Sequence, residues 1–136
     1  MSYAMTAAVQ AAVYGCLVAD AGVQAVVGSN VFDAAPGGTL PETYVVMGEE
    51  AVTGWHDASG AVARHDLVVS ILSDAAGFAN AKAAAVAVSD ALDGRALTLT
   101  RGRVVDCRFR RAKAKRGTSP AARQIDLTFR VLVENA

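Results

Sequence analysis

Gln124-Ile125-Asp126-Leu127-Thr128-Phe129-Arg130-Val131-Leu132-Val133-Glu134 is the stretch on which the fold turns. Ile125, Leu127, Phe129, Val131 and Val133 alternate with Asp126, Thr128, Arg130 and Leu132. Successive side chains of a strand point to opposite faces, so this spacing predicts a strand with one face in a core and the other in water. An antiparallel sheet covered on one side has this pattern. A second strand, Leu67-Val68-Val69-Ser70-Ile71-Leu72, is largely apolar on both faces and is expected near the middle of the sheet.

Working outward, Arg103–Arg110 alternates Val105, Cys107 and Phe109 with Val104, Asp106, Arg108 and Arg110. With Leu97-Thr98-Leu99-Thr100 it forms a strand pair or one bent strand, divided at Arg101-Gly102. Residues 111–122 have no apolar periodicity and read as a basic loop. Phe78, Ala81, Ala85, Val88 and Leu92 lie on one face of a predicted helix that Gly77-Phe78 begins, Ser73-Asp74 offers to cap and Asp93-Gly94 ends. Its small residues let it sit close to a sheet. Thr43–Gly48 is rich in β-formers, and residues 49–63 read as a connection. Val31-Phe32 is a short strand, followed by a loop carrying Pro36, Gly37, Gly38 and Pro41. A first helix over Thr6–Val18 has the stripe Met5, Val9, Ala12, Val13, Cys16 and Leu17, with Thr6 or Ser2 as cap. Asp20 caps a shorter helical stretch through Val27, which Gly28 ends.

This order predicts an α+β fold: a two-layer sandwich, a mostly antiparallel sheet with helices packed on one face. The 136 residues read as a single domain, 1–136, with no internal repeat or linker. Phe78, Leu92, Leu67, Ile71, Phe109, Leu127 and Phe129 are the expected core. No apolar run approaches the roughly 18 residues that span a membrane, and the start of the chain has no basic leader region. No membrane association is expected.

Net charge is zero, yet it is segregated. Residues 1–63 hold six acids and no Lys or Arg, whereas 64–136 hold all 13 basic residues and seven acids. Such separation suits an acidic partner, nucleic acid, or a copy of the same chain docked head to tail.

Catalytic chemistry is missing, and no enzyme activity is expected. His56-Asp57 has no nucleophile recommended beside it. His65, between Arg64 and Asp66, reads as a solvated residue. Glu49 and Glu50 are adjacent and point to opposite faces of a strand, a poor acid–base pair. Cys16 and Cys107 lack zinc-ligand spacing and read as small apolar residues in a reducing cytoplasm. No catalytic, cofactor or metal residue is assigned. The basic segment 101–123 is able to contact phosphates without reading sequence, but lacks the interleaved aromatics of a single-strand platform.

The ordered pieces resemble a known family. They are a short valine-rich helix followed by Asn30-Val31-Phe32-Asp33; then Leu40-Pro41-Glu42-Thr43-Tyr44-Val45-Val46-Met47-Gly48; then His65–Ser73; then a helix closing as Ala91-Leu92-Asp93-Gly94; and finally a basic segment and the Asp126–Val133 strand. Together they resemble the tail-completion, or tail-terminator, proteins of long-tailed siphophages and related particles such as gene transfer agents. Pro-x-x-Tyr-Val-Val-x-Gly, residues 41–48, is the most specific part. The resemblance implies a structural protein assembled in the bacterial cytoplasm as a homomeric ring, usually a hexamer, at the head-proximal end of a tail tube. Its implied partners are copies of itself, the tail tube protein, the head–tail connector or stopper, and DNA passing through without sequence specificity. It supplies no catalytic residue. From charge alone, the interface or channel candidates are Arg101, Arg103, Arg108, Arg110, Arg111, Lys113, Lys115 and Arg116, with Glu49, Glu50 and Asp57 as acidic counterparts. The alternatives are a nucleic-acid-binding module using residues 101–123 and another neck or connector component.

Overall fold

The computed structural model describes residues 3–34, 37–57, 60–75, 78–116 and 122–134. Helix α1 (Thr6–Ala19) and helix α2 (Ala21–Val27) lead into strand β1 (Val31–Phe32), the hairpin of β2 (Thr43–Asp57) and β3 (Gly60–Ser73), helix α3 (Ala79–Leu92), and strands β4 (Arg103–Arg116) and β5 (Arg123–Glu134). The sheet order is β1-β2-β3-β5-β4, antiparallel throughout except for the β1–β2 pair. The α+β expectation holds, and β3 is the middle strand.

α1 buries Val9, Val13 and Leu17 behind Met5. Its N-cap is Met5, with no side-chain cap; Ser2 lies outside the described residues. Thr6 instead donates to Glu50 Oε1 at 2.6 Å. Asp20 does cap α2, accepting the Val23 N–H at 2.9 Å, and Gly28 ends that helix at φ +61°. α3 packs over β3, β5 and β4, and α1 and α2 pack beside it. Ala81, Ala84, Ala85, Val88, Ala91 and Leu92 form its buried stripe. Ser73-Asp74 does not cap it: Phe78 is the N-cap, and the Ser73 hydroxyl accepts the Ala75 N–H at 3.2 Å in a local turn. Residues 35–36, 76–77 and 117–121 of the expected loops and helix start lie outside the described residues.

Three stretches differ from the expected secondary structure. Residues 49–57 and 60–63 are strand, not connection. A bulge between Met47 and Glu50 shifts the alternation, so that Val45 and Met47 face the helices before it, whereas Glu50 and Val52 do so after it. One period read across the bulge loses the strand. Residues 111–116 are likewise strand, paired with β5 as far as Arg116↔Arg123. An edge strand needs no buried large side chain, and Lys and Arg are ordinary there. Leu97–Thr100 is not strand; Leu97 and Leu99 pack half-buried against the core from irregular backbone.

Within the expected core, Leu67, Ile71, Leu92, Leu127 and Phe129 are buried. Phe78 is half-buried, with Lys82 and Arg123 over its ring. Phe109 is 40% exposed, meeting Phe129 edge to face from the outermost strand. A bulge between Val104 and Asp106 turns Val104 to the core and leaves Val105 exposed.

Truncating Phe129 to Ala should cost about 3–5 kcal/mol by chemical denaturation. Two glycines should then differ in sign. Gly102 sits at φ +70°, and a Cβ there would collide with the Met5 sulfur and the Glu134 carbonyl. Gly102→Ala should therefore cost about 2 kcal/mol or more. Gly15, on α1 with nothing near its missing Cβ, should gain about 0.5–1 kcal/mol as Ala.

Candidate functional site

The helices cover one face of the sheet, and register assigns the other. Glu49 and Ala51 of β2, Asp66, Val68 and Ser70 of β3, Asp126, Thr128 and Arg130 of β5, and Arg111, Lys113 and Lys115 of β4 all fall on it. Its middle is neutralised within the chain. Asp66 Oδ1 accepts from Arg130 Nε at 2.9 Å, and Arg64 Nε lies 3.6 Å from Asp66 Oδ2. Asp126 Oδ1 accepts from Ser70 at 2.7 Å and from Gln124 at 2.9 Å, and its Oδ2 lies 3.2 Å from Lys115 Nζ. Burial pushes the Asp126 carboxyl up, but these donors outweigh it and hold the group below its ordinary range.

What remains is charge at the two rims. Glu49 is exposed on the β2 side. On the β4 side Arg103 pairs with Glu134 at 3.0 Å and Arg108 with Asp106 at 2.9 Å. Arg110, Arg111, Lys113 and Arg116 are exposed, with no ion pair among the described residues; Arg101 is exposed in the turn before β4. Between the rims lies an open trough of about 430 Å³, lined by Glu49, Asp66, Arg110, Arg111 and Arg130. Residues of β2 and of β4 line this one hollow across the helix-free face. An open trough edged by charged side chains suits a macromolecular partner better than an enclosed small ligand.

Glu50 is placed differently from Glu49. It faces the helix layer, where Oε1 accepts from Thr6 at 2.6 Å and Tyr3 at 3.2 Å, and Oε2 lies 3.1 Å from His65 Nδ1. Its carboxylate is engaged within its own chain. His65 is fully buried, not solvated. The signal was in the sequence: position 65 is in phase with Leu67, Val69 and Ile71, and that phase outweighs its charged neighbours Arg64 and Asp66. Asp57 closes β2, and its side chain lies outside the described residues. Cys107 is buried and Cys16 half-buried; burial raises both thiols, Cys107 to about 11.

The family described as Tail completion protein gp17 matches residues 11–134, from the middle of α1 to the end of β5. The chain belongs to that family. Among solved structures it is similar to a chain of the "Virion of native gene transfer agent (GTA) particle", 55% identical, with a TM-score of 0.92 over 98% of this chain and 100% of that one. Comparison with curated proteins gives no significant match. The helix-free face with its charged rims is therefore the candidate surface of a tail completion protein.

The Asp126 network gives a pH signature. Because folding lowers this carboxyl, its stabilising contribution is present above the unfolded value and lost as pH falls through the folded one. The stability gap between wild type and Asp126→Asn should be widest at pH 7 and close below about pH 4. Urea midpoints across that range measure it.

Proposed function

We propose that this chain is a tail terminator: a homomeric ring, hexameric by resemblance, at the head-proximal end of a phage-like tail. The ring stops polymerisation of the tail tube and joins the tail to the head through the connector. Its role is structural, with assembly in the bacterial cytoplasm and DNA passing through its centre without being read. The observation that carries this reading is the pair of unlike rims on one sheet, Glu49 on β2 and Arg110, Arg111, Lys113 and Arg116 on β4, in a tail completion protein. Unlike surfaces on opposite sides of a subunit make heterologous contacts, which close into rings when the rotation fits. Exposed ion pairs contribute only about 0–1 kcal/mol each, so apolar contacts hold such a ring and charge sets its register. Arg101, Arg103 and Arg108, with the basic residues not used between subunits, border the channel.

The same unpaired cations also suit a nucleic-acid-binding module. That reading makes duplex binding with a steep salt slope the main activity of the isolated chain. A terminator forms rings or joins tubes regardless of that slope.

Reversing Arg110, Arg111, Lys113 and Lys115 together to Glu should leave the circular dichroism spectrum unchanged, since three of the four have exposed heads outside any ion pair and Lys115 has one surface pair. Complementation scored by electron microscopy should give unjoined or overlong tails. Normal joined tails containing the variant would overturn the assembly role of this strand.

A further inference from the structure

We infer that the outer edge of β4 over Arg111–Arg116 pairs, strand to strand, with the outer edge of β2 in a second copy of this chain. The inference rests on the ring reading above and supplies its joint.

β4 is the last strand of the sheet, and among the described residues no strand lies beyond it. Its edge is only half capped. At the end of α3, Gly94 donates its N–H to the Cys107 carbonyl at 2.7 Å, and Asp93 Oδ1 accepts the Phe109 N–H at 2.9 Å. Those main-chain groups therefore point away from β5. Outward and inward groups alternate along an antiparallel pair. With the bulge at Phe109/Arg111 and the register Ala112↔Leu127 and Ala114↔Ile125, the outward residues beyond the cap are Ala112 and Ala114. Both are exposed, and their methyl side chains leave room for a close neighbour.

The other open edge is β2. β1 pairs only with Val45 and Val46, so among the described residues β2 is uncovered from Met47 onward. Gly48, Glu49, Ala51, Thr53 and Gly54 are exposed there. This edge has Glu49 and, like all of residues 1–63, no Lys or Arg. Charge complementarity selects the mate. Two β4 edges would set rows of Arg and Lys against each other, and like charges directly opposite destabilise a strand pair. β4 against β2 sets them against an acidic strand. β2 and β4 run in opposite directions within the sheet, so copies whose strands point the same way meet antiparallel. Register puts Ala112 level with Met47 and Ala114 level with the β1-paired Val45, so the neighbour is also displaced along the strands, with strands tilted to the ring axis as in a barrel, for Ala114 to reach the uncovered part of β2.

The test uses the full chain, compared as dilute monomer and as assembled ring. Hydrogen exchange at the Ala112 and Ala114 amides should slow at least 100-fold on ring formation. Ala114→Pro removes an outward N–H that the monomer does not use, and should weaken ring formation at least 10-fold in sedimentation with little change in monomer melting. Lys113→Glu should also weaken it, and Glu49→Lys in the same chain should restore at least part of the loss. If wild type forms no ring, the ring reading and the joint both fall. If rings form with monomer-like exchange at Ala112 and Ala114, the joint alone is wrong. Protection that appears only on adding tail tube protein would assign the edge to that partner and overturn pairing with a second copy. The exchange measurement decides even where a variant fails to fold.

Discussion

Leu67 lies opposite Phe129, Val69 opposite Leu127 and Ile71 opposite Ile125 across the two central strands, and all six are buried. This register is the constraint on which the other elements depend. Side chains alternate with a period of two, so a slip of β5 by one residue would drive Asp126 and Arg130 into the core and put Phe129 in water. The penalty for burying unpaired charge makes the correct pairing the only stable one. Once β3 and β5 are in place they offer one apolar face, and α3 with its alanine-rich stripe lies close against it. β2 and β4 complete the sheet from either side.

The same alternation makes the opposite face polar. Asp66 with Arg130, and Asp126 with Ser70, Gln124 and Lys115, consume the charge in the middle and leave it at the rims. Three bulges, one in β2 and two in β4, change which residues look outward and increase local twist. Residues of β2 and of β4 line the one trough on this face. A chain of zero net charge thereby has an exposed acid, Glu49, at one rim and exposed cations at the other.

Glu50 ties the start of the chain to this sheet. After the bulge it turns toward the helices, where Thr6 and Tyr3 donate to it and His65 lies alongside. The start of α1, left without a side-chain cap, is anchored by a contact 44 residues away in sequence. Two neighbouring glutamates are thus placed differently: Glu49 is exposed, and Glu50 is part of the fold.

Periodicity by itself determined β5, the Leu67–Leu72 part of β3, the three helices and the α+β class, because those segments keep one phase, and residue type gave the Asp20 cap. Charge counting by itself located the acidic and basic halves. Strand alternation places His65 inward, in phase with Leu67, Val69 and Ile71, despite its charged neighbours. Other features were settled by tertiary structure alone. The bulges reset the phase inside β2 and β4, so a single period reads 49–57 as connection and 111–116 as loop, and 60–63 is strand through its pairing with β2 and β5. Phe109 is exposed because β4 is the outermost strand, and strand order is a property of pairing rather than of composition. Which cations remain unpaired was decided by the partners that β3 and β5 bring beside them. Residues far apart along the chain meet only when the sheet forms, and ion pairing depends on distance in space.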